Sequence, residues 1–272
     1  PVVTAHFYNK KVTFEIQMSI VEKQFRSAFS SGSQAAAFIA MIFNAIENSM
    51  TIKLDALIMR AICNMIGETV YDDFGANAIT GGSHAKAVNV LYLYNQTVSA
   101  GDQLTASNCM QSPEFLRFAS NLMSMYKDRL GVASTLFNVD GKVRFTPEDR
   151  LHFVVLSEFD AGVKAYLQSD TFNDEMVALP GHEVVPFWQG SGTSFDFADT
   201  SKIKLTNSEG HSVEASGIIC TVFDNDALGV NGYNSRVDTH WNEPAEFTNY
   251  WYKRDARYFN DFNENFIMFF VA

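Results

Sequence analysis

The feature that most constrains this chain is a long run of apolar residues with helical spacing near its N-terminus. Between about Ser33 and Ile66 these residues recur at steps of three and four, which places them in one stripe along an α-helix. The stripe comprises Ile39, Ile42, Ile46, Met50, Leu54, Leu57, Ala61 and Met65. Between Pro1 and Pro113 there is no proline to interrupt the helix.

A helix over this run would be too long for one small domain. At 1.5 Å per residue it would extend roughly 50 Å, whereas a small domain is ~30 Å wide. Asn48-Ser49 offers an alternative, because these residues can cap and restart a helix, which would halve the span. Either way, the run predicts an element that needs partners outside its own domain, or a second domain of its own.

Strand signals are spread over the chain. Val12, Phe14, Ile16 and Met18 alternate with polar residues, which predicts a strand with one covered face within residues 5–19. Further strands are predicted at 87–95, 151–156, 217–223 and 266–271, and a hairpin at 132–145 around Asp140-Gly141.

Helix signals lie between these strands. A short helix is predicted at 21–29, and Ser112-Pro113 predicts the start of another that ends near Leu130. Two more helices are predicted at 157–167 and 171–179, and a loop at 72–84. The mixed order of strands and helices is typical of an α+β fold.

The charge balance excludes one large class of function. Twenty Lys and Arg against 31 Asp and Glu give a net charge of −11, so the surface repels phosphate backbones and a nucleic-acid-binding protein is not expected. Cys63, Cys109 and Cys220 match neither a zinc site nor a disulfide framework, which predicts reduced, buried thiols. The longest uncharged run, 27–46, has only about a dozen apolar positions where about twenty span a bilayer, so no membrane segment is predicted.

No pattern indicates catalysis, a cofactor or a metal ion. The six histidines are scattered, and the sequence contains neither a Gly-x-Ser-x-Gly elbow nor a complete phosphate-binding loop. Asp224-Asn225-Asp226 begins like a calcium loop but lacks its glycine and final glutamate, which predicts a solvated turn. From Tyr233 onward, twelve residues are aromatic, a concentration that favours a core or a subunit interface. We therefore expect that the protein is not an enzyme.

Four segments together resemble a known family. They are residues 22–29 before the long helix, Leu179-Pro180-Gly181 with 185–192, Phe223-Asp224-Asn225-Asp226 with 227–229, and 248–266. In these segments the sequence resembles the major capsid proteins of tailed bacteriophages with the Hong Kong 97-like fold. The resemblance implies a peripheral domain built on a long spine helix and a sheet, an axial domain, an extended loop and an N-terminal arm.

The resemblance also implies boundaries for these parts. Residues 1–32 would be the returning limb of the extended loop, 33–86 and 207–272 the peripheral domain, and 87–206 the axial domain. The long apolar helix predicted from spacing would be the spine. Since the sequence begins at Pro1 without the arm and the outgoing limb, we expect either that a preceding segment is removed or that upstream residues exist.

The implied function is mechanical. Copies of the chain would form pentamers and hexamers of an icosahedral shell around double-stranded DNA, assembled in the host cytoplasm and carried in the virion. Portal proteins and scaffolding or maturation proteins are the implied partners, with no membrane and no sequence-specific DNA contact. The residues expected at subunit contacts are Lys10, Lys11, Glu22, Arg26, Arg236, Trp241, Tyr250, Trp251 and Arg254.

Two alternatives remain open from the sequence. One is an encapsulin-like nanocompartment shell, which has the same fold but encloses a cargo enzyme. The other is a soluble acidic hydrolase or carbohydrate-binding domain that uses its aromatic C-terminal strands as a ligand face. Formation of particles would distinguish a shell protein from a soluble hydrolase or carbohydrate-binding domain. The contents of the particles would distinguish a phage head from a nanocompartment.

Overall fold

The computed structural model describes residues 11–29, 31–75, 79, 82–165, 181–189, 196–206 and 210–272, without the side chains of Glu22, Gln24 and Arg26. The helices are α1 (Glu22–Ala28), α2 (Gly32–Phe74), α3 (Val90–Asn95), α4 (Pro113–Leu130), α5 (Ser157–Val163) and α6 (Phe197–Thr200). The strands are β1 (Lys11–Val21), β2 (Ala87–Asn89), β3 (Leu151–Leu156), β4 (Glu183–Val185), β5 (Ile203–Thr206), β6 (Ser212–Ala215), β7 (Ile218–Asp224), β8 (Leu228–Asn242), β9 (Phe247–Asn260) and β10 (Phe266–Phe270). The predicted α+β class is confirmed.

The chain forms two units. Unit 1 comprises Pro1–Arg60 and Gly229–Phe259, and unit 2 comprises Ala61–Leu228 and Asn260–Ala272. This division places a boundary inside α2, between Arg60 and Ala61. The domain boundaries implied by the resemblance (1–32, 33–86 with 207–272, and 87–206) stay a prediction.

The predicted long helix is confirmed and extends further than expected. It runs from Gly32 to Phe74 with no restart at Asn48-Ser49, and it includes the first residues of the predicted loop 72–84. It ends at Gly75, whose φ of 71° is the left-handed conformation that glycine adopts after a helix. Nearly every side chain from 61 to 70 is buried in unit 2, where a Cβ on Gly67 would lie 2.6 Å from Leu205 Cδ1.

Helix α2 also has the length and composition of a membrane span. Its most apolar 18-residue window has a mean hydropathy of 1.4, and 11% of that window is buried. The sequence prediction considered only the uncharged run 27–46 and therefore did not identify this helix as a candidate. A helix of this length and composition also occurs where other protein surfaces cover it.

Unit 1 is built on a three-stranded antiparallel sheet with the order β1-β9-β8. Strand β1 pairs with β9 from Lys11 opposite Arg257 to Val21 opposite Phe247. The predicted alternation within β1 is confirmed, because Val12, Phe14 and the alternate residues after them are half-buried while their neighbours are exposed. Phe14, Ile16 and Met18 of this strand pack with Ile46 and Met50 of α2 and with Tyr252 of β9 in the core of the unit.

Unit 2 is built on a five-stranded mixed sheet with the order β2-β10-β7-β3-β4. The strands predicted at 151–156, 217–223 and 266–271 are confirmed as β3, β7 and β10, and every residue of β7 and β10 is buried. Helix α4 begins as predicted, since Ser112 Oγ accepts a hydrogen bond from Phe115 N and Pro113 occupies the first turn. Its apolar face, including Phe115 and Met123, packs into the main core.

Two predicted strand regions are wrong. Only Ala87–Asn89 of the predicted strand 87–95 is extended, because the Asn89 side chain accepts a hydrogen bond from Tyr92 N and caps helix α3. The segment 132–145 contains a single bridge between Ser134 and Arg144 instead of a hairpin.

Of the predicted helix 157–167, Ser157–Val163 is helical, and the predicted helix 171–179 lies outside the described residues.

The predicted solvated turn at Asp224-Asn225-Asp226 is confirmed for Asn225 and Asp226, which are exposed, but its first residue is buried. The Asp224 carboxylate is 1% exposed, accepts a hydrogen bond from Thr146 Oγ1 at 2.8 Å and lies 2.8 Å from Arg150 Nη2. These contacts compensate the buried charge and fix the end of β7 to the segment before β3.

Candidate functional site

The sheet of unit 1 carries charged residues on the face that points away from α2. At its centre is Asp255 on the middle strand β9, whose side chain is only 1% exposed. Arg236 Nη1 of β8 lies 2.7 Å from Asp255 Oδ2, and Lys11 Nζ of β1 lies 3.2 Å from the same oxygen. Thr13 Oγ1 donates to Asp255 Oδ1 at 2.7 Å, and Asn234 Nδ2 donates to Oδ2 at 3.3 Å. The carboxylate therefore joins all three strands.

These donors favour the ionised form of Asp255. The hydrogen bond from Thr13, followed by that from Arg236, lowers the pKa of Asp255 well below its ordinary value. Asn234 reaches the carboxylate from a left-handed backbone conformation with φ of 52°, which asparagine tolerates better than most residues. The polar face of the sheet is thus held by a charge cluster within one chain.

A second set of ionic contacts runs across the same face. Lys253 of β9 lies 2.9 Å from Asp238 of β8 and 3.7 Å from Glu15 of β1. The hydrogen bond to Asp238 is the largest of the effects that raise the pKa of Lys253. Positive and negative side chains therefore alternate across the three strands and neutralise one another locally.

The opposite face of the sheet packs against α2. Tyr252 contacts Phe43 edge to face, with ring centroids 5.6 Å apart, and Ile46 and Met50 lie in the same cluster. Arg254 lies on the same face and forms an ion pair with Glu47 of α2 at 2.8 Å. A groove of about 230 Å³ lies beside these contacts, and Phe43 and Val237 form part of its lining.

Much of the remaining surface of α2 in unit 1 is exposed. Met41 is 58% exposed and Ile52 is 67% exposed, although both belong to the most apolar segment of the chain. Exposed large apolar side chains in this part of the helix also include Phe38, Ile39, Phe43 and Ile58. A large exposed apolar surface marks a site of contact with a partner, so this surface of α2 is a candidate for contact with another protein surface.

The structure gives several of the predicted contact residues partners within the chain. Lys11 and Arg236 pair with Asp255, Arg254 pairs with Glu47, and Tyr250 packs on the apolar cluster. Their predicted role between subunits stays a prediction. Asp255, which joins the first two of these residues, was not identified from the sequence.

The other predicted contact residues differ in environment. Trp241 of β8 is 42% exposed, and Trp251 of β9 is half-buried opposite Gln17. Glu22 and Arg26 lie in α1, but their side chains are not among the described atoms, and Lys10 lies outside the described residues. For these residues, too, a role in subunit contacts stays a prediction.

The described residues contain no cluster of three or more His, Cys, Asp or Glu side chains that could hold a metal ion. Cys63, Cys109 and Cys220 are free and buried, as predicted. Burial raises the pKa of Cys63 to about 12 and that of Cys109 to about 11, so neither thiol is activated as a nucleophile.

Comparisons with solved structures show the fold. A chain in the structure of the head fiber and inner core protein gp22 of native bacteriophage P68 is similar with a TM-score of 0.61 and 10% identity, over 97% of this chain and 72% of that one. A chain in the capsid structure of Staphylococcus phage Andhra gives 0.55 and 12% identity, over 97% and 71%. The expected Hong Kong 97-like fold is thereby confirmed.

Comparisons of sequence identify the family. No curated protein matches the sequence. The profile of the Phi29-like phage major capsid proteins, in contrast, matches residues 1–270, which is nearly the whole chain. This chain therefore belongs to the Phi29-like phage major capsid protein family.

Proposed function

We propose that copies of this chain build the shell of a phage head by covering the exposed sides of α2 in unit 1. As a member of a major capsid family, the chain is a structural component of the virion. The observation that carries the proposal is the 67% exposure of Ile52, which lies among other exposed apolar side chains of α2. Each buried methylene contributes about 0.8 kcal/mol, so covering this helix favours association.

Charged residues on the same helix favour a protein partner over lipid. Glu47, Lys53, Asp55 and Arg60 all lie on the unit 1 part of α2, and Asp55 and Arg60 are exposed. A charged side chain at the centre of a bilayer costs about 2.5–3.5 kcal/mol, whereas a neighbouring subunit can offer it an opposite charge. Contacts of modest affinity are sufficient, because each subunit in a shell has several neighbours.

The shell would enclose double-stranded DNA without binding it tightly. A net charge of −11 per chain disfavours adhesion of the inner surface to phosphate groups, so subunit contacts would have to supply the confinement. Assembly in the host cytoplasm with portal proteins and with scaffolding or maturation proteins completes the proposal. We propose a purely structural role, without catalysis.

The proposed contact through α2 is tested by introducing a charge on the exposed surface of this helix. Ile52→Asp is expected to leave the circular dichroism spectrum unchanged and to lower the yield of shells in negative-stain microscopy at least tenfold, since roughly 1.4 kcal/mol lost per contact is enough. Ile52→Leu is the matched control, because it keeps an apolar side chain at the same place. A normal shell yield from Ile52→Asp would contradict the proposal.

The contents of the particle test the rest of the proposal. Nuclease-resistant DNA inside purified particles is expected, whereas particles that contain a cargo protein and no DNA would favour a nanocompartment. Membrane flotation provides the remaining comparison. Recovery of the unmodified chain only with lipid vesicles, or only as a 30 kDa monomer at high concentration, would overturn assembly through α2.

A further inference from the structure

One loop of unit 2 exposes an unusual number of apolar side chains. Between Gly131 and Thr146, the side chains of Val132, Leu136, Val143 and Phe145 are each 60–66% exposed. Lys142 directly precedes Val143 and is also exposed, and its ammonium group has no ion pair among the described residues. An apolar surface with a cation at its edge is typical of a protein contact site.

This loop is held in one conformation by its own hydrogen bonds. Ser134 and Arg144 exchange two backbone hydrogen bonds of 2.9 Å, and the buried Asn138 side chain bonds both N and O of Lys142 at 2.7 Å. Phe266 N of β10 donates to Phe137 O at 2.8 Å. Its apolar side chains are therefore pre-organised, which lowers the entropy cost of docking.

A mostly apolar pocket of about 430 Å³ lies elsewhere on the same unit. Met110, Phe197 and Val271 form part of its apolar lining, and the carboxylates of Glu158 and Asp196 lie at its wall. We call this pocket the Glu158 pocket. Among the described residues that line it there is no Lys or Arg. A carboxylate has about four acceptor sites, so Glu158 can accept a further donor in addition to Ser157 and Thr200.

The loop and the pocket lie at opposite ends of the five-stranded sheet. The loop joins the end where β7 finishes and β10 begins, through the contacts of Thr146 with Asp224 and of Phe137 with Phe266. The pocket lies at the other end of these strands, where Gly217 and Val271 line it. At about 3.3 Å per residue, the two ends of β7 are roughly 20 Å apart.

We propose that the loop 131–146 of one copy inserts Val143 and Phe145 into the Glu158 pocket of the next copy, with Lys142 placed against Glu158 and Asp196. Two different surfaces at opposite ends of one unit make a head-to-tail contact, which closes into a ring when the rotation between copies allows it. The pocket volume, within the ~300–1,000 Å³ range of small-molecule sites, accommodates these side chains. This inference rests on the assembly of copies proposed above, and it names one contact within a capsomer.

Site-directed cross-linking tests this contact. The double variant Val143→Cys, Gln111→Cys places one thiol on the loop and one at the exposed rim of the pocket. After assembly and treatment with a short bis-maleimide, denaturing gels are expected to show a ladder of dimers, trimers and larger closed species. The native thiols contribute little background because all three are buried.

Matched variants give the contact its control. Each single cysteine variant, and Val143→Cys combined with Ala100→Cys on an exposed residue that does not line the pocket, is expected to remain monomeric on the gel. Normal particles of the double variant without a ladder would overturn the inference and leave the shell function intact. Absence of particles from the unmodified chain would instead overturn the proposed function.

If the double cysteine variant does not assemble, a charge variant of Lys142 tests the same contact. Lys142→Glu places a third carboxylate against Glu158 and Asp196 and is expected to lower particle yield roughly tenfold, whereas Lys142→Arg keeps the charge and the yield. Equal yields from these two variants would overturn the inference.

Discussion

The guanidinium of Arg236 lies 2.7 Å from the carboxylate of Asp255, on a neighbouring strand of the unit 1 sheet. Lys11 approaches the same carboxylate from the strand on the other side, so a single buried acid ties β1 and β8 to β9. Two residues that the sequence offered as contacts between subunits thus also stabilise their own subunit. Variants of either residue will combine an effect on folding with any effect on assembly.

Replacing Asp255 is expected to destabilise unit 1 in a pH-dependent way. Asp255→Asn removes the charge that balances Arg236 and Lys11, which lowers the urea midpoint at pH 7. Since the pKa of Asp255 is lowered in the folded state, its contribution is complete above the ordinary carboxyl pKa of about 4 and is lost as the pH falls towards the lowered value.

The measurement is urea unfolding of both proteins between pH 3 and pH 7, followed by tryptophan fluorescence. The difference between the unmodified chain and Asp255→Asn is expected to be largest near neutral pH and to shrink below pH 4. Glu243→Gln, which removes a carboxylate from an exposed turn, is the control for a general charge effect. A difference that grows as the pH falls would contradict this role of Asp255.

Local patterns in the sequence were sufficient for β1 and α2 of unit 1, but not for the strands β8 and β9 or for the pairing of the sheet. The alternation of Phe14 and Ile16 with polar residues identified β1, and the stripe through Ile46 and Met50 identified the face of α2 that packs on the sheet. The partner of β1 is β9, more than 220 residues further along the chain. No local signal specifies a register at that distance, so the cluster at Asp255 was not predictable.

In unit 2 the wrong strand predictions arose where hydrogen bonds from side chains to the backbone override the alternation of apolar residues. The alternation of Val90, Tyr92 and Tyr94 suits a strand, but the cap from Asn89 selects a helix. Asp140-Gly141 does form a turn, with φ of 61° at Gly141, yet the flanking residues bond through Asn138 instead of a strand ladder. The hairpin prediction therefore did not show that this segment is a loop with exposed apolar side chains, which is the loop proposed as a subunit contact.

Gly217 is expected to be one of the least replaceable residues in unit 2. Its φ is 75°, and a Cβ at this position would lie 2.0 Å from the backbone O of Val271. Gly217→Ala is expected to lower the free energy of unfolding by about 1–3 kcal/mol from the backbone conformation alone, and by more through the clash. Urea denaturation gives this value.

Gly101→Ala is the matched control for this substitution. No heavy atom lies within 4 Å of the Cβ position at Gly101, and its φ is not left-handed. The free energy of unfolding is therefore expected to change by less than about 0.5 kcal/mol. Equal effects of the two substitutions would contradict the requirement for glycine at 217.

Arg26 and Trp251 are expected to act in assembly and not in folding. Arg26→Glu and Trp251→Ala are predicted to keep the circular dichroism spectrum and to reduce shell yield, since Trp251 is half-buried within one chain and tryptophan is frequent among contacts that dominate binding. Trp251→Phe is the control that retains an aromatic ring. Normal particle numbers from both Arg26→Glu and Trp251→Ala would refute the assignment.

The three thiols are expected to report on the stability of unit 2, because all of them lie in that unit. Cys63 Sγ donates to Trp188 O at 3.2 Å, and burial raises the pKa of the thiol to about 12. At pH 8 roughly one such thiol in ten thousand is ionised, and the thiolate is the species that reacts. Maleimide labelling of the native chain at this pH is therefore expected to be negligible until urea unfolds unit 2.

The same shifts fix the direction of an alkaline effect. Since the folded-state pKa values of Cys63 and Cys109 lie above the ordinary value of about 8.5, their contribution to stability is complete below that pH and is lost as the pH rises towards 11 and 12. The urea midpoint of thiol labelling is expected to fall between pH 8 and pH 10, and to fall less in Cys109→Ala. Rapid labelling of the folded chain at pH 8, or a midpoint that rises with pH, would show that these thiols are not held in a desolvated core.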